Sequence, residues 1–264
     1  MNATSQTEIQ ITAAAGESSP VAAPAIEVSK LSKVFGLRKA LDGVTFTLPE
    51  GSFLSIFVPN GAGKTTLLRI LATLARPTSG EASILGSNLK ESPNEVRAHI
   101  GLISHKPMLY LDLSAEENLL LAARLYGVED PEKRVTELLA TVELTSRRHD
   151  IVRTFSRGMT QRVAIARAIV HNPSLVFLDE PYSGLDPRAV EIFDDLLKHI
   201  SEPAAGGKRR SFCMVSHDME KGFSLASHLL ILERGKVALC APKDELTPED
   251  FKQRYYKSVG MGMS

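Results

Sequence analysis

The sequence predicts an α/β fold: a mostly parallel sheet, antiparallel strands near the N-terminus, and a helical insertion. Three observations carry this. An alternating strand runs straight into a glycine-rich loop that opens a helix, over "FLSIFVPNGAGKTTLLRILATLA" at 53–75. Two short apolar segments, "LVFL" at 175–178 and "FCMV" at 212–215, read as strands buried on both faces. From 161 onward helical and strand patterns alternate, as they do when helices cover a parallel sheet.

Residues 1–25 are rich in Ala, Ser, Thr and Pro and are expected to form a disordered tail. Organised sequence begins at "IEVSKLSKVFG". "VTFTLPEGSFLSIFV" then gives two alternating strands broken by the turn signal Pro49-Glu50-Gly51. After the loop and its helix, "PTSGEASILG" reads as a turn and a strand. Between about 91 and 160 strand signals are few. "SAEENLLLAARLYG" and "PEKRVTELLATVEL" are amphipathic helices, and Ser114 with Glu117 has the spacing of a capping box. This stretch reads as a helical insertion. "QRVAIARAIVHNP", "SLVFLDEP", "PRAVEIFDDLLKHI", "SFCMVSH", "KGFSLAS" and "HLLILERGKVALC" complete the core to about 240. Residues 241–264 follow as an extension whose end, "GMGMS", looks loose.

Composition narrows the partners. Hydrophobic residues make up 43%, enough for a sizeable core, and 31 basic residues balance 31 acidic ones. No electrostatic capture of nucleic acid is expected; the short "GKRR" at 207–210 reads as a solvated turn. Cys213 and Cys240 have no metal-ligand spacing and are expected as free thiols in a reducing compartment. No apolar run approaches the roughly 18–20 residues that cross a bilayer, and no secretion signal is recognisable. The reading is a soluble, cytoplasmic chain that needs a spanning partner to act at a membrane.

The chemistry concentrates in three places. In "VPNGAGKTT" at 58–66, Gly61 and Gly63 let backbone N–H groups converge on phosphate oxygens, with Asn60 and Ala62 beside them. The helix that follows offers its positive end. Lys64 can reach the β- and γ-phosphates, Thr65 can ligate Mg²⁺, and Thr66 can add a phosphate contact. Val58 stands where G-x-x-x-x-G-K-[ST] has its first glycine; a β-branched residue would be strained there if the backbone needed positive φ. At 175–181, "LVFLDEP", an apolar strand ends in Asp179, which can hold Mg²⁺, and Glu180, which can orient or deprotonate an attacking water.

Between them lies "FSRGMTQRVAIARA" at 155–168. With these residues the sequence resembles the ATP-binding subunits of ABC transporters. The family signature, L-S-G-G-Q followed by Q-R-x-x-I-A-R-A, reads here as Phe155, Ser156, Arg157, Gly158, Met159, then Gln161, Arg162 and "AIARA". Ser156 and Gly158 match; Arg157 and Met159 depart. "SGLDP" at 183–187 resembles the family's D-loop around Asp186, and "MVSHD" places His217 at the switch histidine. The resemblance spans about 26 to 240. It implies ATP and Mg²⁺ as ligands, Glu180 and His217 as catalytic groups, and Ser156 and Gly158 as contacts to the γ-phosphate held by an opposite subunit.

By role rather than letter, it also implies that Phe35 in "SKVFG" stacks on adenine. His105 in "IGLISHKPMLY" takes the place of the Q-loop glutamine, although histidine is shorter and titrates. Two such chains would sandwich two ATP molecules, as a homodimer, and drive a membrane-spanning subunit from the inner face of the membrane. "SRGM" together with "ISHKPMLY" further resembles one subgroup, the haem-exporter ATPase of cytochrome c maturation. Two other readings stand beside transport. A soluble ABC-type ATPase of translation or repair would carry two nucleotide domains or a long coiled coil. A regulator that binds ATP without hydrolysis would have little use for Glu180.

Overall fold

A computed structural model describes residues 23–58, 63–202 and 207–259. Most of the expected N-terminal tail and the terminal "GMGMS" lie outside them. Along the chain come strands β1 (Ile26–Phe35), β2 (Arg38–Leu48) and β3 (Phe53–Phe57), helix α1 (Lys64–Leu71), strands β4 (Ser79–Ile84) and β5 (Ser87–Asn88), and α2 (Pro93–His99). Then follow β6 (Ile100–Ile103), α3 (Ala115–Leu125), α4 (Pro131–Thr141), α5 (Arg157–Ala168), β7 (Leu175–Asp179) and α6 (Pro187–Ser201). The chain closes with β8 (Ser211–Val215), α7 (Met219–Leu225), β9 (His228–Glu233), β10 (Lys236–Pro242) and α8 (Pro248–Val259). It divides into two compact units, Met1–Val96 with Val215–Ser264, and Arg97–Met214.

The first unit holds the antiparallel sheet, in the order β2-β1-β4-β5. Ile26 and Val28 of β1 are buried and Glu27 between them faces solvent, and a register shift at Lys30, which sits at φ 48°, brings Leu31 back to the buried face. Ile26 sits opposite Leu48, and Val28 opposite Phe46. The same unit pairs β3 with β9 in parallel and β9 with β10 antiparallel. "HLLILERGKVALC" is thus a hairpin that turns at Arg234 and Gly235, both at positive φ. Its core gathers Phe57, Leu229, Ile231 and Phe251. The rings of Phe57 and Phe251 meet edge to face at 4.8 Å. Phe251 belongs to α8, a helix the sequence reading did not anticipate because its pattern is mostly charged and polar.

In the second unit β7 lies between β8 and β6 and runs parallel to β6. The stretch read as a helical insertion with few strand signals also holds one strand, because "IGLI" forms β6, whose four apolar residues are too few and too uniform to show a period. The capping box forms as expected. Glu117 N–H donates to Ser114 Oγ at 3.1 Å, and Ser114 N–H donates to the Glu117 carboxylate at 2.7 Å. Hydrogen bonds to the carboxylate from the Ser114 N–H and the Ser114 hydroxyl hold the Glu117 carboxyl below the usual carboxylate range.

Where α5 ends, arginines take up its last carbonyls. Arg134 donates to Ile169 O and Val170 O, and Arg210 to Pro173 O just beyond. His171 lies among these guanidinium groups, stacked on Tyr126 at 3.7 Å with a ring nitrogen 3.0 Å from Ile100 O. Burial, reinforced by Arg167, Arg210 and Arg134, pushes its pKa down to about 4 against the pull of the Ile100 carbonyl. Cys213 and Cys240 are free and buried, and burial pushes both thiols up, Cys240 to about 12.

Candidate functional site

Each unit presents its own set of the expected site residues. In the first, β3 ends at Phe57, one residue before the glycine-rich loop. Val58 is fully buried, and it is not among the residues at positive φ, so the backbone there carries none of the strain its side chain could have caused. Asn60, Gly61 and Ala62 lie outside the described residues. Gly63 caps α1 at φ 105°, and a Cβ on it would stand 2.4 Å from the carbonyl oxygen of Ala40. Both the dihedral and the close approach of β2 demand glycine. The first turn of α1 carries no acidic residue to compete for its N–H groups. Thr65 is exposed and Thr66 half-buried in that turn.

Lys64 and His217 converge here: the lysine Nζ is 3.0 Å from His217 Nδ1 and also reaches Nε2. The placement of His217 follows from its neighbours. Ser216 N–H donates to Ile56 O of β3 at 3.3 Å, and Asp218 caps α7 by accepting from Lys221 N–H at 2.9 Å. Helix α7 is then clamped to β3, because Ser55 Oγ donates to Gly222 O at 2.8 Å and the Phe57 ring occupies the space a Cβ on Gly222 would need. His217 is thereby fixed beside the strand that feeds the loop. Phe35 ends β1 and is 55% exposed, with Lys33 Nζ 5.0 Å above its ring. It is a ring presented to solvent and not a core phenylalanine.

In the second unit Asp179 is the last residue of β7, and Glu180 follows at φ 51°. A left-handed backbone at a non-glycine residue costs about 1–2 kcal/mol. The turn beyond it is closed by Ser183 N–H to Glu180 O at 3.1 Å and Leu185 N–H to Tyr182 O at 3.2 Å. Ser156 caps α5 by accepting from Met159 N–H at 3.3 Å, and Asp186 caps α6 by accepting from Ala189 N–H at 2.9 Å. Ser156, Gly158 and Asp186 line one cavity of about 350 Å³. A smaller one, about 130 Å³, is lined by Glu180 together with His105 and Arg157, two of the positions that depart from the family pattern.

Sequence reading missed how the start of α5 is tied to the turn after β7. Gln161 Nε2 donates to Pro181 O at 3.3 Å, and the Arg157 guanidinium lies across Gly184. No period or spacing announces either contact.

The residues present suit a nucleoside polyphosphate with a hard divalent cation. Gly63 leaves its backbone open, and Lys64 stands at the positive end of α1. Thr65 in the first unit and, separately, Asp179 in the second each carry an oxygen donor of the kind Mg²⁺ takes. Among the described residues no group of three His, Cys, Asp or Glu could hold a metal ion by itself.

Comparison with known proteins gives the family. Residues 41–183 match the family described as ABC transporter. The bacitracin transport ATP-binding protein of Bacillus licheniformis is 34% identical over 86% of this chain and 72% of its own length. The Nod factor export ATP-binding protein I of Paraburkholderia xenovorans is 33% identical over 85% and 73%. A solved ATP-binding subunit of an ABC transporter superposes with a TM-score of 0.78 at 29% identity, over 89% of this chain and 99% of that one. A dimeric ATP-binding cassette in a post-hydrolysis state, bound to ADP and Pi, superposes at 0.73 with 29% identity, over 83% and 98%. The chain belongs to the ABC transporter family, as an ATP-binding, ATP-hydrolysing domain.

Proposed function

We propose that this chain is the ATPase subunit of a membrane exporter, working as a pair of copies bound to a spanning subunit on the cytoplasmic face. Among the described residues no helix is long and apolar enough to cross a membrane, so the spanning part is assigned to another chain. The observation that carries the reading is the convergence of Lys64 and His217 at the start of α1. In this reading Lys64 neutralises the β- and γ-phosphates, Thr66 adds a phosphate contact, and Phe35 stacks on the base. Thr65 and Asp179 would hold Mg²⁺, which supplies charge neutralisation on the phosphates. Glu180 orients a water and takes its proton as the water oxygen bonds to the γ-phosphorus. The bond from that phosphorus to the β–γ bridging oxygen breaks, leaving ADP and phosphate. His217 donates a hydrogen bond to the γ-phosphate as charge builds there. Ser156 and Gly158 are assigned to the nucleotide of the partner copy, and His105 to the coupling segment.

The named relatives favour export: one is a bacitracin transport protein and another a Nod factor export protein. The haem-exporter subgroup suggested by "SRGM" and "ISHKPMLY" finds no support among them. The retained Glu180 and His217 weigh against a binding-only regulator. The test is ATPase rate with wild-type protein and Glu180→Gln, beside affinity capture from detergent-solubilised membranes. A polytopic membrane protein recovered in stoichiometric amount is expected; ATPase activity with no such partner favours the soluble reading.

A further inference from the structure

The signature position that departs most from the family pattern is Arg157, the first residue of α5. It is exposed, and its side chain makes no ion pair among the described residues. Its place is nevertheless defined. A Cβ on Gly184 would stand 2.1 Å from Nη1, 2.3 Å from Cζ and 2.7 Å from Nη2. Three atoms of the guanidinium crowd that point together, so the planar group lies across the backbone of Gly184 and does not touch it with one tip.

Gly184 belongs to the turn that begins at Glu180 and ends at Asp186, the cap of α6. The turn is braced against α5 at one further point, Gln161 Nε2 on Pro181 O at 3.3 Å, and just beyond it α6 packs on α5, where a Cβ on Gly158 would lie 3.1 Å from that of Ala189. Arg157 and Glu180 line the same small cavity. Glu180 sits at φ 51°, a conformation that persists only when its surroundings hold it.

We propose that Arg157 is a positioning residue for hydrolysis: its guanidinium, laid across Gly184, holds the turn that presents Glu180. The planar, delocalised group is suited to covering a peptide, which the compact ammonium of lysine is not. Gly184 serves as its platform, bare of a side chain. The inference rests on the assignment of Glu180 as the group that acts on water. It differs from a nucleotide-contacting role, since the effect of Arg157 passes through Gly184 within its own chain.

The test uses the full chain and five variants, with ATP affinity, kcat, KM and melting temperature measured for each. Arg157→Ala is expected to lower kcat by about tenfold with ATP KM and Kd changed by less than about twofold, because misplacing a reacting group costs rate and not binding. Arg157→Lys should recover only part of the loss. Gly184→Ala should also lose turnover, through the displaced guanidinium and through the strain of a Cβ at φ 69°, and adding Arg157→Ala to it should cost less than Arg157→Ala costs alone. Full turnover in Arg157→Ala, a fully additive double variant, or a melting temperature that falls in step with kcat would overturn the proposal. A rise of about tenfold in ATP Kd for Arg157→Ala would also overturn it, by placing the guanidinium on nucleotide. Glu180→Gln is the control: if it keeps full turnover, the assignment of Glu180 has failed, whereas its inactivity beside a fully active Arg157→Ala removes only the inference.

Discussion

Lys64 Nζ lies 3.0 Å from His217 Nδ1 although 153 residues separate them in the chain. The contact joins the start of α1 to the segment between β8 and α7, and the proposed mechanism gives the two side chains different work. His217→Ala is expected to lower kcat by about a hundredfold, the usual scale for one donor to developing charge, with ATP affinity within about threefold of wild type. Lys64→Ala should weaken ATP binding by much more than tenfold, since it removes the charge on the phosphates. Isothermal titration beside steady-state kinetics separates the two. Loss of nucleotide affinity together with melting temperature in His217→Ala would make the histidine structural.

Val58 gives a second prediction. Val58 is not at positive φ and its side chain is fully buried, so its own backbone makes no demand for the glycine of the loop pattern. Val58→Gly should change ATP affinity by no more than about tenfold, or 1.4 kcal/mol. It should cost about 3 kcal/mol of folding stability, from the lost burial and the added backbone freedom. Thermal denaturation and ATP titration check both. Absent binding in wild type, restored by Val58→Gly, would mark the loop as decayed.

Glu180→Gln should retain ATP binding and lose most turnover, and gel filtration with ATP should show a trapped dimer. Undiminished phosphate release would dismiss Glu180 as the group that acts on water.

His171 predicts a pH dependence of stability. Its folded pKa is lowered to about 4 from 6.5, so the unfolded chain takes up the proton first. Its contribution is complete above pH 6.5 and lost as pH falls toward 4. Between pH 7 and pH 4.5 the urea midpoint of wild type should fall further than that of His171→Gln. Equal falls would show that the histidine is not held neutral.

Ser114→Ala should cost about 1 kcal/mol, because it leaves the N–H of Glu117 without its cap. Chemical denaturation measures this directly.

Much of this was readable in the sequence because it depends on local patterns. The strand into "NGAGKTT", the cap at Ser114 and the carboxylates closing "LVFLD" each declare themselves within a dozen residues. β6 did not, since "IGLI" is too short for a period, and neither did α8, whose one deeply buried ring, Phe251, stands among charged residues. The site divides in the same way. The types and order of Lys64, Glu180 and His217 could be read, but Arg157 lying on Gly184 and Gln161 on Pro181 arise from the packing of α5 against the following turn. Tertiary packing fixes such contacts, and no propensity records them.

The edge-to-face meeting of Phe57 and Phe251 has a consequence for how the chain is made. Phe57 is synthesised early and waits for a partner encoded near the other end, with β9 and β10 of the same cluster also still to come. Contacts that distant carry a large loop-closure cost and form late. On the ribosome, therefore, the strand that feeds the glycine-rich loop shows an apolar flank throughout most of elongation. Until α8 emerges, that flank is the kind of exposed apolar surface through which folding chains aggregate.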